Sequence, residues 1–354
     1  MFKLLYKLFL FFTALVYLSS FVSPGWIWFF GLSSFIIPVL LLLNLSSFVF
    51  WAVFKRKFLI YPTVGLLMSL PYLLITVSFH AGKEKPEGLS VLSYNVRVFN
   101  VYKHLNHNYE SSKKMIAWAT QDTSAIKCFQ EFHNQKESEI FNTTKIFSQN
   151  GRYEPFVKPY VINHMGHEFG LAIFSKYPVI NKGMVVFKHP GNNNSAIYVD
   201  VVYNSDTVRI YNAHFESMSI GGKELDTQSG LKQVWNNLMP RLQKGMVIRA
   251  RQVEELMRHI ENCPFDVVLC CDLNELPYSY VYHKIKNQLA NSFEKGGRGF
   301  GFSYNGKIPF LRIDNQFFSS QLEVLKYQNL QKINYSDHYP IKCVYGFKKK
   351  DKNE

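Results

Sequence analysis

Five side chains that end or follow short apolar runs carry hard oxygen donors: Asn95, Glu131, Asp272, Asn274 and Asp337. No soft donor set accompanies them, and hard oxygens suit Mg2+, Mn2+ or Ca2+. His214, His338 and a further carboxylate, Asp314, stand at the ends of similar runs. A divalent cation can neutralise charge developing on a phosphate while one imidazole takes a proton from water and another protonates the leaving oxygen. The inventory therefore fits hydrolysis of a phosphate ester. Each residue alone has a plainer reading, because Asn and Asp close turns at strand ends and a lone His is more often structural. The chemistry is carried by the set.

The elements that must position these residues are short. Strand-like runs cover Leu89–Phe99, Ile126–Gln130, Gly170–Phe174, Ile197–Tyr203, Val208–Ala213, Asp266–Cys271, Ile313–Phe318 and Ile341–Tyr345. Helix-like stretches cover Tyr109–Ala119 and Ile248–Glu261, with Leu231–Leu242 weaker. This interleaving predicts an α/β or α+β unit whose sheets are covered by helices.

The charge splits the chain. Residues 1–80 hold no acidic residue and only Lys3, Lys7, Lys55, Arg56 and Lys57, whereas the rest holds all 26 acidic and the other 35 basic residues. The two parts therefore carry +5 and +9 of the net +14. Three apolar runs fill the first part, at 4–22, 27–52 and 58–79. A bilayer core takes about 20 apolar residues per helix, so a transmembrane segment of three helices is expected. Run one also resembles a signal peptide, but it lacks a small-residue cleavage site. Basic residues stay on the cytoplasmic side, which puts the N-terminus and Lys55–Lys57 inside and residues 81–354 outside. Residues 81–88 read as a linker, 89–347 as the catalytic domain and 348–354 as a charged tail. The five cysteines include no Cys-x-x-Cys pair and predict buried hydrophobes rather than a disulfide framework.

Seven segments then fall in one order: Ser93–Arg97, Phe129–Glu131, Gly170–Pro178, Asn212–Phe215, Cys271–Asn274, Arg312–Asp314 and Ser336–Pro340. Together they resemble the endonuclease/exonuclease/phosphatase superfamily over about residues 89–346. Its members include deoxyribonuclease I-like nucleases, apurinic endonucleases, neutral sphingomyelinases and inositol polyphosphate 5-phosphatases. The resemblance implies a four-layer α-β-β-α sandwich of two mixed sheets with the site at one edge. It implies metal ligation by Glu131 with Asn95 beside it, and by Asp337. Asp272 and Asn274 would position water or phosphate. His338, held by Asp314, would be a base or phosphate-stabilising group, and His214 a general acid. Arg97 would meet a phosphate. Cys271 stands where the family usually has Gly. His214 sets the chain apart from the apurinic endonucleases.

The expected function is a membrane-anchored phosphoesterase using Mg2+ or Mn2+, with Ca2+ also suited, and nuclease-like. A phospholipid headgroup hydrolase of the sphingomyelinase kind is the alternative, and a non-catalytic scaffold on the same fold is the reading from another class. The charge favours nucleic acid, and the anchor favours lipid. Arg249 and Arg251 read as a solvated helix face, and His164 and His167 as surface groups.

Overall fold

The computed structural model describes residues 2–54, 58–84, 86–106, 109–188, 194–217 and 231–348. Lys55–Lys57, used above for orientation, and tail residues 349–354 lie outside them. The chain opens with α1 (Phe2–Ser19), α2 (Ser33–Phe54) and α3 (Ile60–Thr76), then a two-residue strand β1 (Ser78–Phe79). Two six-stranded sheets follow. One holds β2 (Leu89–Asn95), β3 (Ile126–Asn134), β4 (Glu154–Ile162), β5 (Glu168–Ser175), β13 (Leu322–Asn329) and β14 (Ile341–Phe347), in the order β13-β14-β2-β3-β5-β4. The other holds β6 (Val179–Val186), β7 (Ser195–Tyr203), β8 (Asp206–His214), β9 (Asp266–Asp272), β10 (Ala290–Asn291) and β12 (Asp314–Phe318), in the order β10-β12-β9-β8-β7-β6. Each sheet has one parallel pair, β2 with β3 and β8 with β9.

The sheets pack face to face. Val91, Cys128 and Ile173 of the first share a buried cluster with Ile210, Val268 and Cys270 of the second. The alternation of a strand then sends Val267, Leu269 and Cys271 of β9 outward, against Leu256 of α6 (Leu231–Glu261) and Tyr282 of α7 (Tyr280–Lys286). On the far side Tyr94 and Phe129 pack on Met115 of α4 (Glu110–Gln121) and Phe147 of α5 (Thr143–Ser148). The expected four layers are present. A short helix α8 (Ser292–Gly296) and a strand β11 (Arg298–Gly299) complete the chain.

Two expectations change. Leu231–Leu242 and Ile248–Glu261 are one helix, α6, which continues through Pro240. The strands β4, β6, β10 and β13 were not anticipated, and all four are sheet edges. Strand β4 carries Pro155 and Pro159. A strand interior excludes Pro because it cannot donate to the ladder, but an edge tolerates it.

The N-terminal helices bury polar groups alongside apolar ones and turn many large apolar side chains outward. Thr13, Asn44 and Ser69 are buried, whereas Leu8, Phe11, Leu42, Val53, Leu67 and Leu74 are exposed. Hydroxyls bridge the helices, Tyr17 to Ser69 at 2.8 Å and Ser20 to Tyr72 at 2.8 Å. A Cβ at Gly65 would collide with Asn44, so small residues set the α2–α3 approach. This is how helices associate in lipid, where packing and polar bridges replace the hydrophobic drive. Among the described residues, Trp28–Phe54 is the one helix long and apolar enough to cross a membrane.

This bundle is docked on the second sheet's helices. Tyr17, Ile37 and Tyr72 join the cluster that contains Leu256 and Tyr282. Arg312 donates to the Ile75 carbonyl at 2.8 Å, satisfying the end of α3. The segment expected as a linker is held on β13, through Lys83 N to Leu325 O at 3.0 Å.

His283 of α7 stacks 4.3 Å from Phe21 and edges Tyr72 at 5.9 Å. Burial, aided by Lys286, pushes its pKa down from 6.5 to about 4. The folded state therefore binds this proton less readily than the unfolded chain. Its contribution is complete above pH 6.5 and is lost as pH falls toward 4. The melting temperature of the full chain should drop across that window. His283→Phe should show a shallower drop, and equal slopes would refute the assignment.

Candidate active site

The parallel pairs place the site. In βα units the chemistry collects at strand carboxyl ends. Here Asn95 ends β2 beside Gln130 of β3, and His214 ends β8 beside Asp272 of β9. The face-to-face sheets bring these two ends together. Antiparallel β12 starts at Asp314 opposite Asp272, and Ser336–His338 lead into β14.

Glu131 needs a special device. The β3–β5 register slips between Phe129 and Phe132, and Glu131 sits in this bulge with φ +50°. A bulge re-aims a side chain that strict alternation would send elsewhere. Asn274 at φ +49° and the run Arg97–Asn100, at φ +44° to +56°, are also left-handed. For residues with a Cβ this conformation costs about 1–2 kcal/mol each, and such strain concentrates at functional sites.

The Asn95 amide nitrogen donates to Asp272 Oδ2 at 2.9 Å and to Glu131 Oε1 at 3.1 Å, tying the two sheets together. Asp272 Oδ1 accepts the Asn274 backbone N–H at 2.9 Å. His214 Nε2 lies 3.7 Å from both Glu131 Oε1 and Asp272 Oδ2, and Asn274 Nδ2 is 3.4 Å from that nitrogen. His338 Nδ1 bonds Asp314 Oδ2 at 2.8 Å and leaves Nε2 3.8 Å from Asp272 Oδ2. Asp337 is turned to Arg97, at 3.3 Å, at the outer lip. Arg97 is 51% exposed there. All nine expected residues thus gather in one place, with Arg97 and Asp337 at its rim.

Burial opposes a charge on His338, but the Asp314, Asp272 and Asp337 carboxylates outweigh it and push its pKa up to about 10. Burial chiefly raises Asp314 to about 6, against the pull of His338. Each favours the charged form of the other across the 2.8 Å contact.

The donor set fits a hard divalent cation. Glu131 and Asp272 converge on a single amide nitrogen. Asp272, Asp314 and His338 each bring a ligand atom within 4.8 Å of the others. Since His338 Nδ1 is already bonded to Asp314, the Glu131–Asp272 side is the freer one. Asn95 presents nitrogen here, with its oxygen on Arg97 N at 3.0 Å. A half-turn of the amide would present the ligand oxygen instead.

Several contributors were not legible in the sequence. Tyr304 lays its ring 5.3 Å from that of His338 and pairs with it in an isolated bridge. The Ser303 hydroxyl accepts from Ile313 N and Asp314 N at 3.0 and 2.9 Å. Arg249 is the largest correction. It is not a solvated helix residue but is fully buried, bonded to Glu275 at 2.8 Å and to the Glu216 carbonyl at 2.8 Å. It braces both the segment after His214 and the segment after Asp272. Arg251 is exposed, as expected, and so is His164, whereas His167 is half-buried against His133 at 3.3 Å.

Residues 92–338 match the model of the Endonuclease/Exonuclease/phosphatase family, and residues 1–76 match a domain of unknown function. No curated protein matches the chain. Among solved structures it is similar to a Bacteroides thetaiotaomicron mannosyl-6-phosphatase, with 16% identity, TM-score 0.54, and 73% of this chain and 100% of that one covered. The human Nocturnin catalytic domain shares 17% identity at TM-score 0.55, over 76% and 97% of the two chains. D. rerio TDP2 complexed with single strand DNA product shares 14% identity at TM-score 0.51, over 74% and 100%. At these identities the likeness is one of fold.

Proposed function

The chain belongs to the Endonuclease/Exonuclease/phosphatase family and is a hydrolase of phosphate esters, and from that premise we propose that it cleaves a phosphodiester with a divalent cation at a membrane surface. The observation that carries this reading is the meeting of Glu131, Asn95 and Asp272 with His214 and the His338–Asp314 pair. A scaffold on the same fold would have no need of that set.

Glu131, Asp272 and Asn95 would hold the cation, which when bound would neutralise charge on the phosphate and lower the pKa of water. Asp272 and Asn274 orient the attacking water, and the Asp272 carboxylate takes its proton. His338, held positive by its carboxylates, donates from Nε2 to a phosphate oxygen, so a stabilising role suits it better than a base. His214 delivers the proton to the leaving oxygen. Arg97 offers a further phosphate contact at the rim. The outward apolar side chains of the helices and the apolar Trp28–Phe54 helix support a bilayer location, and the basic N-terminus and Lys55–Lys57 of the sequence support an extracytoplasmic catalytic domain.

The test uses the full chain in detergent with bis(p-nitrophenyl) phosphate. Chelation with EDTA should abolish turnover, and Mg2+ or Mn2+ should restore it. Glu131→Gln should raise the metal concentration needed for half activity by about 10-fold or more. Turnover that survives EDTA would overturn the metal reading.

A further inference from the structure

An apolar cavity of about 510 Å3 lies where the helical bundle meets the catalytic domain. Leu41, Leu45 and Leu73 line it from the helices, and Leu276, Phe302 and Leu311 from the catalytic side. Its size is that of a small-molecule site, commonly about 300–1,000 Å3. We infer that it takes the hydrocarbon chain of a bilayer lipid whose phosphate ester is the substrate of the neighbouring site. This deepens the proposed hydrolase reading and rests on it.

Three observations carry the inference. First, cavity and site share walls. Leu276 follows Asn274 by two residues. Phe302 lines the cavity, while the next two residues, Ser303 and Tyr304, brace Asp314 and face His338. Leu311 and Arg312 run directly into Asp314. The cavity wall and the site thus stand on the same short segments.

Second, the cavity continues into surfaces that suit lipid. Its helical wall is built from α3 and from α2, the apolar helix of membrane length. On the catalytic side, Phe79, Phe300 and Phe310 are 85%, 51% and 72% exposed. Phe79 pairs with Arg298 in the β1–β11 ladder, and His80 N bonds Gly297 O at 2.9 Å, so this rim sits where the bundle emerges. Exposed aromatics clustered beside a membrane helix mark an interfacial surface.

Third, the charge is complementary to a phospholipid. Residues 295–313 hold Lys295, Arg298, Lys307 and Arg312 and no acidic residue. Basic residues beside a membrane segment attract anionic headgroups. Among the described residues, Arg312 is the one charged residue on the cavity wall. It is buried, with its guanidinium 4.1 Å over the Phe293 ring and Nη2 bonded to the Ile75 carbonyl, so it holds the wall together where the helices meet the catalytic side. A nucleic acid would leave the cavity and the aromatic rim unused.

The experiment compares methyl and hexadecyl p-nitrophenyl phosphate with the full chain in neutral detergent, beside supercoiled plasmid. The hexadecyl ester should be cleaved with at least tenfold higher kcat/KM. Leu45→Trp and, independently, Leu73→Trp fill the cavity from the helical side and should bring that ratio close to one. A ratio near one in the wild type, or an unchanged ratio in both folded variants, overturns the proposal. Plasmid nicking without a chain-length gain would do so in favour of nucleic acid. If neither ester is cleaved, the hydrolase reading itself fails. The cavity is then judged by photolabelling with a diazirine-bearing hexadecyl phosphate. Adducts at Leu276–Tyr278 or Phe302 retain a lipid site, and adducts confined to the outer faces of the helices overturn it.

Discussion

Asp272→Ala should abolish turnover, with kcat/KM for bis(p-nitrophenyl) phosphate expected to fall by at least about 10³-fold. The size follows from how many groups meet at this carboxylate. Asp272 accepts from Asn95 Nδ2 and from Asn274 N, and both catalytic imidazoles lie within 3.8 Å of its Oδ2. Removing it frees the Asn95 amide, lets Asn274 relax from its left-handed conformation, and takes one carboxylate from the field that keeps His338 positive. The part-buried Asn274 N–H is also left unpaired, at about 1–3 kcal/mol, while the Asn95 amide keeps only Glu131. Asp272→Asn therefore belongs beside the alanine variant, because it keeps shape and an acceptor oxygen while losing the charge. A folded Asp272→Asn protein with kcat/KM within tenfold of wild type would remove Asp272 from the centre of the mechanism.

Arg249→Met should be the most damaging change to stability outside the site. It leaves Glu275 buried without its partner, and breaking one side of a buried pair costs about 3–5 kcal/mol. It also releases the Glu216 carbonyl, so the segments that follow His214 and Asp272 lose their common brace. Arg249→Met/Glu275→Leu removes the stranded charge and should recover most of the stability. It should not recover the full kcat, because the carbonyl stays unbraced. Denaturant midpoints and kcat of the full chain, measured for both variants in one detergent, separate these effects. Equal midpoints for the single and double variants would mean that the pair is not the source of the loss.

Arg249 shows where sequence reading stops. On one helix, a basic residue among Arg251, Glu254, Glu255 and Arg258 has the pattern of a solvated face. Its burial is decided by what the tertiary fold lays over it, namely Glu275 from a loop after another strand. The same limit appears in the strands. All eight anticipated strands are interior to their sheets: β14, β2, β3 and β5 in one, β12, β9, β8 and β7 in the other. Interior strands of a four-layer fold are buried on both faces and read as continuous apolar runs. Edge strands need only one apolar face and tolerate Pro, so β4 and β6 carry no such signal.

The inventory of the site was local information. Oxygen donors, two imidazoles and Asp314 at strand ends were enough to name the chemistry, and the seven ordered segments carried the family resemblance that implied the fold. The three apolar helices were likewise readable, because twenty residues without a carboxylate need no partner to declare themselves. What the tertiary structure alone decided is how these parts meet. Glu131 reaches the site through a bulge whose left-handed residue no propensity signals. His338 meets Asp314 and Asp272, which come from distant parts of the chain, beside its sequence neighbour Asp337. The helices, read as an anchor behind a linker, are docked on the catalytic layers and enclose a cavity beside the reacting groups. These are long-range juxtapositions. Their energy comes from packing and from charge at a few ångströms, and neither acts between residues that are neighbours only in sequence.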